Sequence, residues 1–212
     1  MASKRRLSFS KVTFEDLQNV VDITEVLDYS VFNEWFQFEY HLNHEEEEFL
    51  STLLSQNLRF LDTYLEEELK AQFIIPLLNN VNFFYHDARG WYERRLQSRI
   101  HHVLFHGRTD YMVARGIETP KTPYFFIQEY KQEFGDRHPK NPLLAEMMVA
   151  LELNQTSQIR GAYVMGKSWT FVILKKSVDD RYEYFRSQDF SAIKIPELHG
   201  IYRNLQAIKA ML

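Results

Sequence analysis

The period at which apolar residues recur changes along this chain, and that change restricts the fold more than any single motif. Over residues 43–79 they fall three or four positions apart, at Phe49, Leu53, Leu54, Leu58, Leu61, Leu65, Leu69 and Phe73, the spacing of one helix face. This stretch reads as two helices, or as one bent near Pro76. From residue 81 the segment "VNFFYHDARGWYERRLQSRIHHVLFHGRTDYMVARG" turns to short strand-like runs, which breaks at residues 87–90 and near Gly107 divide into a meander. A strand over residues 124–132 follows a loop containing Pro120 and Pro123. Residues 143–153 read as an amphipathic helix with Asn141 and Pro142 as N-cap and first-turn residues. "GAYVMGKSWTFVILKK" holds two β runs split around Gly166, and residues 196–211 form a closing helix. Helix, strands, helix, strands, helix in that order describes an α/β domain with a mixed sheet. Residues 10–40, including "TEVLDYSVFNEWFQFEY", fit either strands or an irregular layer.

With 212 residues, 45% hydrophobic and 15% aromatic, the chain can bury one sizeable core. The expected division is an N-terminal segment of unassigned role, residues 1–42, and one main domain, residues 43–212. The chain has no cysteine, which excludes disulfides and thiolate metal sites. Any metal must then be held by oxygen or histidine, which favours hard cations such as Mg²⁺ or Mn²⁺. No apolar run is long enough to cross a bilayer, and "MASKRRLSFS" lacks the apolar stretch of a signal peptide, so a cytoplasmic protein is expected.

A formal net charge of −4 gives no global attraction to nucleic acid, so such binding would need a local basic surface. Arg94, Arg95 and Arg99, with Trp91 and Tyr92, are the best local candidates, weighed equally against plain outward-facing strand residues. Lys4, Arg5 and Arg6 either touch a phosphate backbone or form a loose basic terminus. Glu45 to Glu48 read as a solvated helix face. His102 and His106 share a face but are too few for a zinc site.

The strand "PYFFIQEYKQE" poses the chemical question. Alternation puts Phe125, Ile127, Glu129, Lys131 and Glu133 on one face, which therefore changes from apolar to charged partway along. A carboxylate among such neighbours needs a partner charge or a bound cation. An E-x-K pair on a strand is most often a solvated edge or a cross-strand ion pair. Here the apolar flanks, the upstream Asp110 and the following helix favour a site. If the two strands are neighbours, Asp110 and Glu129 can bind one divalent cation, and Lys131 projects beside it.

At these residues the chain resembles the PD-(D/E)XK nuclease superfamily, whose fold is a restriction-endonuclease-like core with a mixed central sheet flanked by helices. The matching residues are "RTD" at Asp110 and "EYK" at Glu129, Tyr130 and Lys131, followed by a helix; Thr109 stands where the name-giving pattern has proline. The resemblance implies a Mg²⁺- or Mn²⁺-dependent nuclease acting on DNA. Asp110, Glu129 and the Tyr130 carbonyl would be metal ligands, and Lys131 the catalytic lysine. "YLEEELKAQFIIPLL" is similar to a helix in the nuclease segments of type I restriction enzymes, and assigns Glu68 as a further acidic residue, with Glu67 its close competitor. Glu146 is the available polar residue on the helix after the lysine strand. The resemblance covers residues 66–174. It leaves specificity to a homodimer or a partner protein, and its alternative is a nuclease-fold protein without catalysis, serving as a nucleic-acid-binding or assembly module.

Overall fold

A computed structural model describes residues 5–131 and 138–212. Lys4 and Glu133, both singled out above, lie outside the described residues. Among the described residues the strands are β1 (Arg6–Ser8), β2 (Ile23–Glu25), β3 (Ala88–Ile100), β4 (Val103–Arg115), β5 (Lys121–Lys131), β6 (Gln158–Met165), β7 (Ser168–Lys176), β8 (Tyr182–Arg186) and β9 (Phe190–Ser191). The helices are α1 (Phe14–Gln18), α2 (Asn33–Phe36), α3 (His44–Asn57), α4 (Glu66–Leu69), α5 (Ile75–Val81), α6 (Lys140–Asn154) and α7 (Ile195–Lys209). One mixed sheet runs β1-β4-β5-β6-β7-β8-β2, with β3 on the other side of β4 and β9 against β7. The protein is thus of the mixed α/β class.

β5 and β6 are parallel, and the connection between them carries α6. That helix was expected to be amphipathic, yet every residue from Pro142 to Leu151 is buried. The physical reason is that it is covered twice. One side meets the sheet at Ile127 and Val172; the other meets Phe9, Val12 and Leu17 from the N-terminal segment. A helix apolar on all sides is stable only in such a sandwiched place. The opposite face of the sheet is covered by a second core in which Trp35, Leu54, Phe73, Leu77, Ile201 and Leu205 pack on Phe126, Tyr130 and Phe171.

Residues 6–40 therefore do several jobs in the same body. β1 pairs parallel with β4 and β2 pairs parallel with β8. Trp35 is fully buried and its Nε1–H donates to the Asn204 carbonyl at 2.8 Å.

The meander differs from expectation. β3 and β4 run through Gly90 and Gly107 without a break, and the turn falls at His101 and His102, His101 having φ +52°. Gly107 is small because a Cβ there would lie 2.5 Å from the Phe9 ring. It marks a close approach within a strand rather than a turn. The stretch after α3 also resolves into one path. α4, a wide π turn at residues 70–74 and α5 follow without interruption. Ile75 N–H bonds back to the Lys70 carbonyl, and Pro76, which has no N–H to give, sits in the first turn that follows.

Candidate active site

The site forms where β4 and β5 part. Their ladder runs only as far as Tyr111 opposite Gln128. One step further, the Tyr130 N–H donates not to a carbonyl but to Asp110 Oδ2, at 2.9 Å. On the other side of β4, the ladder with β3 also skips this level. Tyr92 pairs with Tyr111 and Arg94 with Thr109, leaving Glu93 and Asp110 unpaired between them, with Glu93 at φ +53°. Side-chain alternation falls out of step on both strands here. Trp91 and Met112 face the same core as Leu96 and Phe105, although an unbroken period of two would separate them. The irregularity turns Asp110 out of the sheet ladder and toward the end of β5.

Glu129, almost opposite, is 5% exposed. Burial raises its pKa to about 8, and the charge of Asp110 pushes the same way. The neighbouring Glu146 carboxyl, the Lys131 ammonium and the Asp110 backbone N–H oppose the rise. Glu146, fully buried on α6, is pushed far above the usual carboxylate range by burial and then by Glu129. Neither Glu146 oxygen meets an N–H or O–H donor of the protein. Burial of the two carboxyl groups side by side, with no donor to stabilise the Glu146 charge, favours the protonated form of each.

Two ammonium groups neutralise the rest. Lys131 Nζ lies 3.2 Å from both oxygens of Glu66, 4.0 Å from Glu129 Oε2, and donates to the Tyr130 carbonyl at 2.7 Å. Lys70 Nζ lies 3.3 Å from Asp110 Oδ1, 3.2 Å from Glu66, 3.2 Å from Glu67 and 3.6 Å from Glu93. The Lys70 side chain is only 9% exposed. Burial works against its charge, but Asp110 and Glu66 outweigh burial and hold it protonated.

Asp110, Glu129, Lys131 and Glu146 thus meet at one place, while the acidic helix presents a residue other than the one expected. Glu68 turns back to accept the Leu65 N–H at 2.8 Å, capping α4 as a third-position glutamate does. Glu67 is largely solvent-exposed. Glu66 is the one facing Lys131, because two residues rotate a helix by about 200°. Sequence reasoning missed Glu66, Lys70 and Glu93. The only sequence trace was the i, i+4 spacing of Glu66 and Lys70, which is common on any solvated helix.

Among the described residues, no three His, Asp or Glu side chains stand converged as a metal's ligand set. Lys70 and Lys131 stand against the carboxylates instead. The donor chemistry nevertheless suits a hard cation. Asp110 and Glu129 are oxygen donors on adjoining strands, and Glu146 has two buried oxygens without a partner. His102 and His106 take no part: they lie in and beyond the β3–β4 turn, on the distal arm of the hairpin. No family model matches the chain, and no curated protein matches it significantly. No described helix is long and apolar enough to cross a membrane.

Proposed function

We propose that this chain is a divalent-metal-dependent nuclease that hydrolyses phosphodiester bonds in DNA, built on a restriction-endonuclease-like core of β4 to β7 with α6. One observation carries the reading: Asp110 and Glu129 come together where β4 and β5 separate, with Lys131 leaving the same strand end and Glu146 unsatisfied behind them. Asp110, Glu129 and the Tyr130 carbonyl would hold Mg²⁺ or Mn²⁺, which when bound supplies Lewis acidity and a lowered pKa for water. The Lys131 ammonium orients the attacking water and offsets charge growing on the phosphate. Glu66 holds that ammonium toward the cleft. The ionised forms of Glu129 and Glu146, which burial disfavours, would be favoured with a cation bound. In the test, purified protein nicks plasmid DNA in Mg²⁺ or Mn²⁺ but not in EDTA, and Lys131→Ala loses ~10²-fold or more of the rate while its circular dichroism is unchanged. Equal cleavage by wild type and Lys131→Ala would overturn the reading.

A second reading has its own support. Lys70 already stands against Asp110 and Glu66, as an internal ammonium in the position of a cation. On that reading the protein keeps a nuclease-like frame without catalysis and acts as a nucleic-acid-binding or assembly module. Absence of any metal response in stability or cleavage would select it.

A further inference from the structure

Beyond the break at Glu93 and Asp110, the β3–β4 hairpin continues outward, and its far face is basic. Arg95 on β3 stands directly opposite Arg108 on β4, and Gln97 stands opposite His106. Directly opposed residues of an antiparallel pair share a face, with Cβ atoms about 4.5–5.5 Å apart. β1, on the other side of β4 from β3, adds Arg6 beside Leu104. Arg6, Arg95, Gln97, His106 and Arg108 line one concavity of about 340 Å³. Arg6, Arg95 and Arg108 are all exposed, and among the described residues none of them meets an acidic side chain. Arg59, Arg94 and Arg203 are exposed and likewise meet no acidic side chain among the described residues. What marks this patch is the direct opposition of two arginines with a third beside them, where several other arginines are paired. Arg5 pairs with Asp16, Arg115 with Asp87, Arg181 with Asp22 and Arg186 with Glu25.

Like charges placed directly opposite on a sheet are destabilising. Fold stability therefore gives no reason for an Arg95/Arg108 pair with a third arginine beside it. An anion lying between the guanidinium groups does, because each offers several N–H donors in a planar fork suited to phosphate oxygens. The patch is not isolated from the site. The Arg95/Arg108 pair is two residues along the strands from Glu93 and Asp110, a distance of about 7 Å. Arg99, also exposed, continues the row away from the site on β3. A linear polyanion laid along this row would pass into the cleft; a compact anion would use only part of it.

We infer that the outer face of the β3–β4 hairpin, with Arg6, Arg95 and Arg108 at its centre, is a phosphodiester-backbone binding site that leads a nucleic-acid strand to the Asp110 and Glu129 cleft. Binding there is electrostatic, made through guanidinium–phosphate contacts, which carry no base-sequence information. The direction of the strand rests on the nuclease reading; the binding site itself does not.

The experiment is fluorescence anisotropy of labelled single-stranded and duplex oligonucleotides in EDTA, over a series of salt concentrations, with wild type and the Arg95→Ala/Arg108→Ala double variant. The expected result is at least a tenfold weaker affinity in low salt and a shallower salt dependence, its log–log slope reduced by about 2 for the two lost phosphate contacts. The melting temperature of the variant without ligand should be equal to or above that of wild type, because a repulsion has been removed. Unchanged affinity and slope would overturn the inference. So would tighter binding to vesicles containing phosphatidylinositol phosphates than to either oligonucleotide. If the double variant loses binding while wild type shows no metal-dependent cleavage, this site stands and the nuclease reading falls. If cleavage persists in both with unchanged binding, the reverse holds.

Discussion

Lys70 Nζ stands 3.3 Å from Asp110 Oδ1, on the far side of that carboxylate from the Tyr130 N–H that holds its other oxygen. An internal ammonium thus supports the same carboxylate that a metal would use. Lys70→Met removes the ammonium while keeping a similar length of side chain. The variant should lose roughly 2–3 kcal/mol in urea unfolding with EDTA present, less than the ~3–5 kcal/mol of a fully buried pair because Glu67 and Glu93 are well hydrated. Adding Mn²⁺ should restore most of that loss and bind more tightly than to wild type, since its competitor is gone. A variant that is destabilised but indifferent to Mn²⁺ would leave Lys70 as a structural ion-pair partner only.

The buried carboxyl pair makes stability depend on pH with a definite sign. Glu129 and Glu146 hold protons in the folded state that an unfolded glutamate gives up near pH 4.5, and the Glu129 value reaches about 8. Their contribution is fully present below about pH 4.5 and is lost as pH rises toward 8, at up to about 1.4 kcal/mol per pH unit for each proton retained. Thermal melts in EDTA should therefore show wild type more stable at pH 5.5 than at pH 7.5. Glu146→Gln, a neutral isostere, should flatten that slope and gain stability at the higher pH. A flat profile in wild type would mean that neither carboxyl carries the extra proton.

Glu66 and Glu68 lie two positions apart in the single turn of α4 but should fail differently. Glu66→Gln removes the carboxylate that holds Lys131. On the nuclease reading, its metal-dependent cleavage should fall by at least tenfold with a near-normal melting temperature. Glu68→Gln weakens the bond to the Leu65 N–H and should cost about 0.5–1 kcal/mol of stability, with cleavage unchanged. Plasmid nicking and thermal melts on both variants decide it; the opposite pattern would return Glu68 to the site.

Gly107→Ala tests whether the N-terminal segment is part of the main body. The added methyl would strike the Phe9 ring, which itself packs against α6. A loss of about 1–3 kcal/mol is expected from overpacking. Phe9→Leu in the same chain should recover part of it; independent, additive losses would show that the two residues do not touch.

Much of the site was legible from alternation alone. A strand with period two must send Glu129 and Lys131 the same way, and this holds whatever the rest of the chain does. The order of helical and β runs likewise fixed a mixed α/β domain, and Gly166 does separate β6 from β7. Other features depended on contacts between distant parts of the chain. Gly90 and Gly107 look like breakers in any window of sequence, and only the Tyr111 and Phe9 rings lying on them reveal two continuous strands. Glu66, Glu67 and Glu68 are equivalent until α4 docks and its first-turn cap claims one of them. Lys70 becomes a buried cation only because the π turn and Asp110, forty residues later, bring it to the end of β5. Periodicity is a local property of the backbone, so the sequence determines which side chains travel together. Which of them meet across the fold is decided by long-range packing, where burial and charge compensation are settled jointly by elements far apart in the chain.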